Sequence, residues 1–265
     1  MLELIDVSKV FNPHSVNELV LYHGLNLRVK KGEFVTIIGS NGSGKSTLFN
    51  MICGTMAPDK GDIKLDGKSI TNVLEYQRLK RFARIYQDPQ IGTAPSLTIL
   101  ENLVIADNKN KPFNLTKAVD RSKKDYFIGL LQMLNLGLED KLDQQVETLS
   151  GGQRQALALL MATIGKPELI LLDEHTAALD PQTSEKIAML TEKIVKSQEA
   201  TALMITHNLK QALTLGDRLL MFHKGKIVLD LDAQTKSKLT VQNLIEHFTR
   251  LNMTEELSDD MVFSL

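Results

Sequence analysis

The chain has 265 residues, 43 % of them apolar and 24 % charged, enough for a sizeable packed core and far from the compositions of disordered or collagen-like chains. Its 31 Lys plus Arg balance 32 Asp plus Glu, a formal net charge of -1, so no global positive field draws it to anionic lipid, and no nucleic-acid partner is expected. One cysteine, Cys53, excludes an intramolecular disulfide. Glu3 and Asp6 stand where a signal peptide needs a cationic start and an apolar run, so a cytosolic setting is expected. Stretches such as Ala156 to Ile164 are about half the length of a membrane span, so membrane association needs a partner.

Short runs rich in apolar and β-branched residues predict strands over Leu2 to Val7, Leu25 to Val29 and Phe34 to Ile38, with turns at Lys31-Gly32 and Asp66-Gly67. Ser46 to Cys53 has helical spacing and stops at Gly54, a residue suited to the left-handed conformation past a helix end. Between roughly Pro89 and Ile164 the texture changes: Leu97 to Ala106, Asp125 to Leu136 and Gly151 to Ile164 carry helical periodicity and almost no strand pattern. Short apolar strands return at Leu169 to Leu172, Ala202 to Ile205 and Arg218 to Phe222, alternating with helices as in a largely parallel sheet. Lys224-Gly225 joins the last of these to Ile227 to Leu231 as a hairpin, and the acidic stretch Leu251 to Leu265 reads as a solvated tail. There is no internal repeat and no obvious linker between halves.

The string Gly39-Ser40-Asn41-Gly42-Ser43-Gly44-Lys45-Ser46 has the spelling G-x-x-x-x-G-K-S/T, after a predicted strand and before a predicted helix. Glycines let the backbone curl so that successive N–H groups point at phosphate oxygens, and the helix turns its positive end to the same charge. Lys45 can reach the terminal phosphates of a nucleotide, the Ser46 hydroxyl is a hard ligand for Mg²⁺, and Thr47 adds another hydroxyl. A glycine-rich turn that merely contains lysine is the bland alternative. The strand Leu169 to Leu172 runs into Asp173 and Glu174, which delivers two acids to the carboxyl edge of a sheet, where ligands bind. Asp173 is expected to hold Mg²⁺, and Glu174, on the opposite side of the pleat, to orient or deprotonate the attacking water. The acids could instead simply begin a helix. His207, after Ala202 to Ile205, is expected at the same edge, and Gln87 at a junction where an amide can touch Mg²⁺ or water. The remaining histidines show no metal-ligand spacing.

Leu149-Ser150-Gly151-Gly152-Gln153-Arg154-Gln155 resembles the signature of ATP-binding cassette ATPases, and with the phosphate loop, Gln87, Asp173-Glu174, Ala178-Leu179-Asp180 and His207 in the family's order the resemblance covers almost the whole chain. The resemblance implies an α/β fold: a RecA-like P-loop NTPase core with an antiparallel β subdomain and an inserted α-helical subdomain. It places the core at residues 1–88 and 165–230, the helical subdomain at 89–164 and a C-terminal helix and tail at 231–265. It implies an ATP-dependent head-to-tail homodimer, in which one subunit's phosphate loop and the other's Ser150, Gly151, Gly152 and Gln153 close on one ATP with Mg²⁺, while Asp180 contacts the partner. Phe11 is the candidate for stacking on adenine, with Tyr22 competing and plain core packing a third reading of Phe11. Two departures stand out: relatives place proline where His175 follows Glu174, and arginines where Ala156 and Met161 stand.

The family reading implies the ATPase subunit of a transporter, peripheral at the cytoplasmic face of the membrane, bound to separate permease subunits near Gln87 and Pro95 to Asn102. Import, of amino-acid-like solutes with an extracytoplasmic solute-binding protein, is favoured over export or lipoprotein release. A soluble iron-sulfur assembly ATPase is the rival of another class. A single phosphate loop, and a short Gln87 to Leu149 interval without heptads, disfavour tandem translation factors and coiled-coil repair ATPases. The basic cluster Lys109, Lys111, Lys117, Arg121, Lys123 and Lys124 reads as a solvated helix face, with lipid or partner contact as the alternative.

Overall fold

In the computed structural model, which describes residues 1–109, 111 and 123–250, two sheets and a helical segment pack around a phosphate-binding loop. The larger sheet has the order β10-β9-β3-β8-β7-β6, formed by β3 (Phe34–Gly39), β6 (Phe82–Ile85), β7 (Leu169–Asp173), β8 (Thr201–Ile205), β9 (Arg218–His223) and β10 (Lys226–Asp232). All its neighbours are parallel except β10, which returns antiparallel along β9. The smaller sheet, order β2-β1-β4-β5, is antiparallel and uses β1 (Leu2–Phe11), β2 (Leu19–Val29), β4 (Lys60–Leu65) and β5 (Lys68–Ser69).

The pleat explains how the large sheet is covered on both faces. Along β7, Ile170 and Leu172 pack with the helices, among them Leu103, Leu131 and Leu157, while Leu169 and Leu171 pack with the small sheet and with Phe49 and Ile52. Those last two lie on α1 (Lys45–Cys53), which Gly54 ends in the left-handed conformation at φ 88°. α2 (Glu75–Arg78) carries the buried Arg78, whose guanidinium donates to the carbonyls of Met51, Ile52, Thr71 and Val73 and so satisfies orphan acceptors at the end of α1.

The helical segment contains α3 (Ile99–Asp107), α4 (Lys124–Gln132) and α5 (Gly151–Ile164). After it come α6 (Pro181–Ser197), α7 (Leu209–Thr214), α8 (Ala233–Lys236) and α9 (Val241–Arg250). α3 starts at a capping box between Thr98 and Glu101, and α5 at one between Ser150 and Gln153. Leu244 and Phe248 of α9 seal a third cluster with Ile38, Leu209 and Met221. Among the described residues no helix is long and apolar enough to cross a membrane.

The first two strands are longer than their expected Leu2 to Val7 and Leu25 to Val29 because the ladder shifts register at bulges, one of them where Asp6 (φ 50°) bonds its N–H to Asn26 Oδ1. Such a bulge breaks the period-2 pattern by which a strand is recognised. Helix α4 is shorter than the expected Asp125 to Leu136 at its C-terminal end. The described members of the basic cluster do not share one helix: Lys109 and Lys111 follow α3 and Lys123 and Lys124 open α4, Lys109 Nζ donating to the Phe82 carbonyl (3.0 Å) and the partly exposed Lys111 and Lys123 both bonding Asp107 Oδ2 at 2.6 Å. Lys117, Arg121 and the Leu251 to Leu265 tail lie outside the described residues.

Candidate nucleotide site

The adjacent parallel strands β3, β8 and β7 end side by side, so the loops that follow them share one edge of the sheet. The phosphate loop follows β3. Its glycines are needed: Gly39 (φ 152°) has no room for a Cβ, which would lie 2.3 Å from the Phe222 carbonyl oxygen, and Gly44 (φ 109°) packs against the Tyr22 ring. Ser40, Ser43 and Lys45 are buried, whereas Asn41, Gly42 and Ser46 face outward and Thr47 is half-buried at the first turn of α1. Ser43 Oγ is buried with no hydrogen-bond partner among the described residues, an orphan of the kind an anion can satisfy.

Lys45 Nζ donates to the Gly39 and Ser40 carbonyls at 2.7 and 3.0 Å. Burial lowers its pKa to about 8, although the negative charges of Glu174 and Asp173 pull the other way. The cation and both acids therefore share one site.

Glu174 reaches this edge by a route the pleat does not describe. β7 ends at Asp173, and Glu174 leaves the strand in the left-handed region at φ 49°, its N–H still held by the Ile205 carbonyl at 3.1 Å. Strand alternation therefore does not aim its side chain, as the sequence pattern had implied; the turn does. Its Oε1 accepts from His207 Nε2 at 2.5 Å, and His207 Nδ1 is buried without a partner among the described residues. Burial alone would raise the Glu174 pKa, but the bond and charge of His207 and the charge of Lys45 outweigh it and leave the carboxyl below its ordinary value.

Asp173 is gripped from behind by a residue the sequence reading missed. Arg84 of β6 donates to Asp173 Oδ2 at 2.7 Å and to Asn50 Oδ1 of α1 at 2.8 Å, and its guanidinium lies 4.8 Å from the centre of the Tyr86 ring. The available signal was an arginine in an apolar strand, which requires a carboxylate close by. Gln87 is exposed just past β6.

Tyr22 is excluded as an adenine platform: it is fully buried, and its hydroxyl donates to the Gly44 carbonyl at 2.7 Å, supporting the loop from beneath. Phe11 is half-buried at the end of β1, with Lys9 Nζ 5.8 Å from its ring centre. Asn102, at the edge of the expected permease surface, is buried and bonds the Ala94 N–H and the Ala94 and Thr98 carbonyls, so it shapes that loop from inside. His175 is buried against Thr191, and Ala156 is fully buried.

Ser150, Gly151 and Gln153 begin α5, and Asp180 caps α6 by accepting from the Thr183 N–H. The two helix starts abut, since a Cβ on Gly152 would fall 2.3 Å from Thr183 Cγ2. Among the described residues no hydrogen bond or ion pair joins residues 150–153 to the phosphate loop of the same chain.

A glycine loop between a central parallel strand and a helix, with a buried lysine and two acids opposite, defines a P-loop nucleoside triphosphatase with a RecA-like core. The family model described as "ABC transporter" matches residues 22–177. A tyrosine transport ATP-binding protein of Clostridioides difficile is 48 % identical over 94 % of this chain and 98 % of its own length. A xylose/arabinose import ATP-binding protein of Sulfolobus acidocaldarius is 36 % identical over 94 % of each. An ATP-binding cassette solved as a dimer in a post-hydrolysis state with ADP and Pi superposes with a TM-score of 0.72 at 30 % identity, covering 88 % of this chain and 99 % of that one. The chain belongs to the ABC transporter family and is an ATP-binding, ATP-hydrolysing subunit of such a transporter.

Proposed function

We propose that the chain powers import of an amino-acid-like solute as a head-to-tail homodimer docked on permease subunits at the cytoplasmic face of the membrane, supplied by an extracytoplasmic solute-binding protein. The observation that carries the reading is the split site. The phosphate loop, Lys45, Glu174 and His207 converge on one edge, while the Ser150 helix start, a second anion-binding terminus, opens elsewhere and has no phosphate to serve in its own chain. A second copy turned head to tail brings the two together. The tyrosine transport relative, alike over 98 % of its own length, supports the amino-acid class.

In this mechanism Lys45 and the loop amides hold the terminal phosphates, and Phe11 stacks on adenine. Ser46, Asp173 and Gln87 are the residues that would hold Mg²⁺. Their hydroxyl, carboxylate and amide oxygens are the hard donors this ion takes, and its chemistry is to neutralise charge on the phosphates. Glu174, whose carboxylate is held in the charged form by His207 and Lys45 against the desolvation that opposes it, orients or deprotonates the attacking water. His207 holds Glu174 through Nε2, and with both ring nitrogens protonated its Nδ1–H would donate to the γ-phosphate. Asp180 contacts the partner subunit. We assign the core to residues 1–88 and 165–230, the helical subdomain to 89–164 and the C-terminal element to the remainder.

Affinity purification of the tagged chain from detergent-solubilised membranes of its own cell, followed by mass spectrometry, tests the reading. A multi-span permease with a solute-binding protein supports import. A permease with large extracytoplasmic domains supports export instead, and a soluble scaffold without any membrane protein overturns the transport role.

A further inference from the structure

We propose that Gln211 is a positioning residue for ATP hydrolysis, its carboxamide tying the segment that carries Glu174 and Asp180 to the segment that carries His207. The inference rests on the roles proposed above for Glu174 and His207.

Gln211 lies in the first turn of α7, directly after His207. The Asn208 cap accepts its N–H at 3.0 Å and so fixes its backbone. Its side chain then turns inward and uses both ends. Oε1 accepts from Thr176 Oγ1 at 3.1 Å and from Thr206 Oγ1 at 3.4 Å, and Nε2 donates to Ser184 Oγ at 2.9 Å. Each hydroxyl comes from a different place: Thr176 from the turn after Glu174, Thr206 from the residue before His207, Ser184 from the start of α6 just beyond Asp180. All four side chains are buried, none more than 8 % exposed, so no water replaces a lost bond.

The sheet leaves this work undone. The last ladder bond between the two segments is Glu174 N–H to Ile205 O, and beyond it the chain closes only local turns, Ala177 N–H to Glu174 O and Leu179 N–H to Thr176 O. Past that point the Glu174–His207 bond joins catalytic groups directly, and Lys210–Glu185 at 3.2 Å joins two exposed side chains that solvent screens. Among the described residues the Gln211 network is the buried polar link that joins Asp180's helix to both segments, whereas the buried His175–Thr191 bond ties that helix to the Glu174 segment alone. A shift at Asp180, where the partner copy would press, reaches the Glu174–His207 pair through it.

The test is steady-state ATPase kinetics of the full chain with Gln211→Met, Gln211→Glu and Ser184→Ala, beside Glu174→Gln. Methionine keeps the volume and removes the bonds. Glutamate keeps them, because the Ser184 hydroxyl can rotate and donate where it now accepts. Gln211→Met should lower kcat about tenfold with KM for ATP changed less than about twofold, and Gln211→Glu should recover most of the loss. Ser184→Ala, a small change that tests the link even if the methionine variant folds poorly, should lower kcat about threefold at constant KM. Wild-type kcat in both Gln211→Met and Ser184→Ala, or kcat and KM moving together, overturns the inference. Loss of turnover in Glu174→Gln with full turnover in both Gln211→Met and Ser184→Ala sinks this inference alone, whereas full turnover in Glu174→Gln sinks the reading beneath it.

Discussion

His175 makes the fold sensitive to acid in a way that can be worked from the structure. The ring is buried, and its Nε2 lies 2.9 Å from Thr191 Oγ1, whose own proton goes to the Ile187 carbonyl. Thr191 therefore accepts, so the imidazole is the neutral Nε2–H tautomer. Desolvation lowers its pKa from 6.5 to about 4. A histidine whose folded pKa is depressed binds its proton in the unfolded chain first. Between pH 6.5 and 4 the unfolded state holds more protons, and stability drains away as the pH falls. The gap is worth about 3 kcal/mol by pH 4, or roughly 10 °C in Tm for a chain of this size. Glutamine at this position can still donate to Thr191 but does not titrate. Thermal melts followed by circular dichroism from pH 7.5 to pH 4 should show wild type losing about that much more than His175→Gln. Parallel curves would refute the reasoning, since other acids titrate equally in both proteins.

Three more outcomes follow from named contacts. Arg84→Met should destabilise by about 3 kcal/mol in chemical denaturation, because it strands the largely buried Asp173, while Arg81→Met, which breaks a half-exposed pair with Glu168, should cost about 1 kcal/mol or less; equal losses would contradict the difference in burial. Lys45, lowered to about 8, is partly neutral above that pH in the free chain and must regain its proton to face phosphate, so ATP binding at pH 9 should take up protons and weaken as pH rises. Calorimetry in buffers of different ionisation enthalpy reads this, and no buffer dependence would count against it. Ser150→Arg should leave ATP binding by single chains intact yet prevent ATP-dependent dimerisation, as sedimentation would show; a normal dimer would argue against a shared site.

The most legible parts of this molecule were those whose chemistry is local. Gly39 to Ser46 announces itself because a curled anion loop needs glycine at fixed offsets, and Ser150 to Gln153 because the string resembles a family signature spelled within one turn. Asp173 was visible as the end of an apolar strand. The aim of Glu174 was not, since it depends on one residue at φ 49° rather than on strand period. Tyr22 as loop support, Arg84 behind Asp173 and Gln211 among three hydroxyls were out of reach for a different reason. Each joins segments that only the topology brings together, and no spacing records that. The two long first strands were cut short because bulges interrupt the alternation that marks them.

The central claim is that two copies of this chain complete one ATP site and that Glu174 drives its turnover. Light scattering coupled to size-exclusion chromatography of the Glu174→Gln chain tests both halves when read beside its ATPase rate. No turnover is expected, and with ATP and Mg²⁺ a particle of twice the 29.6 kDa chain mass should form and disappear when the nucleotide is removed. A variant that binds ATP yet keeps its nucleotide-free mass, or that hydrolyses at the wild-type rate, would contradict it.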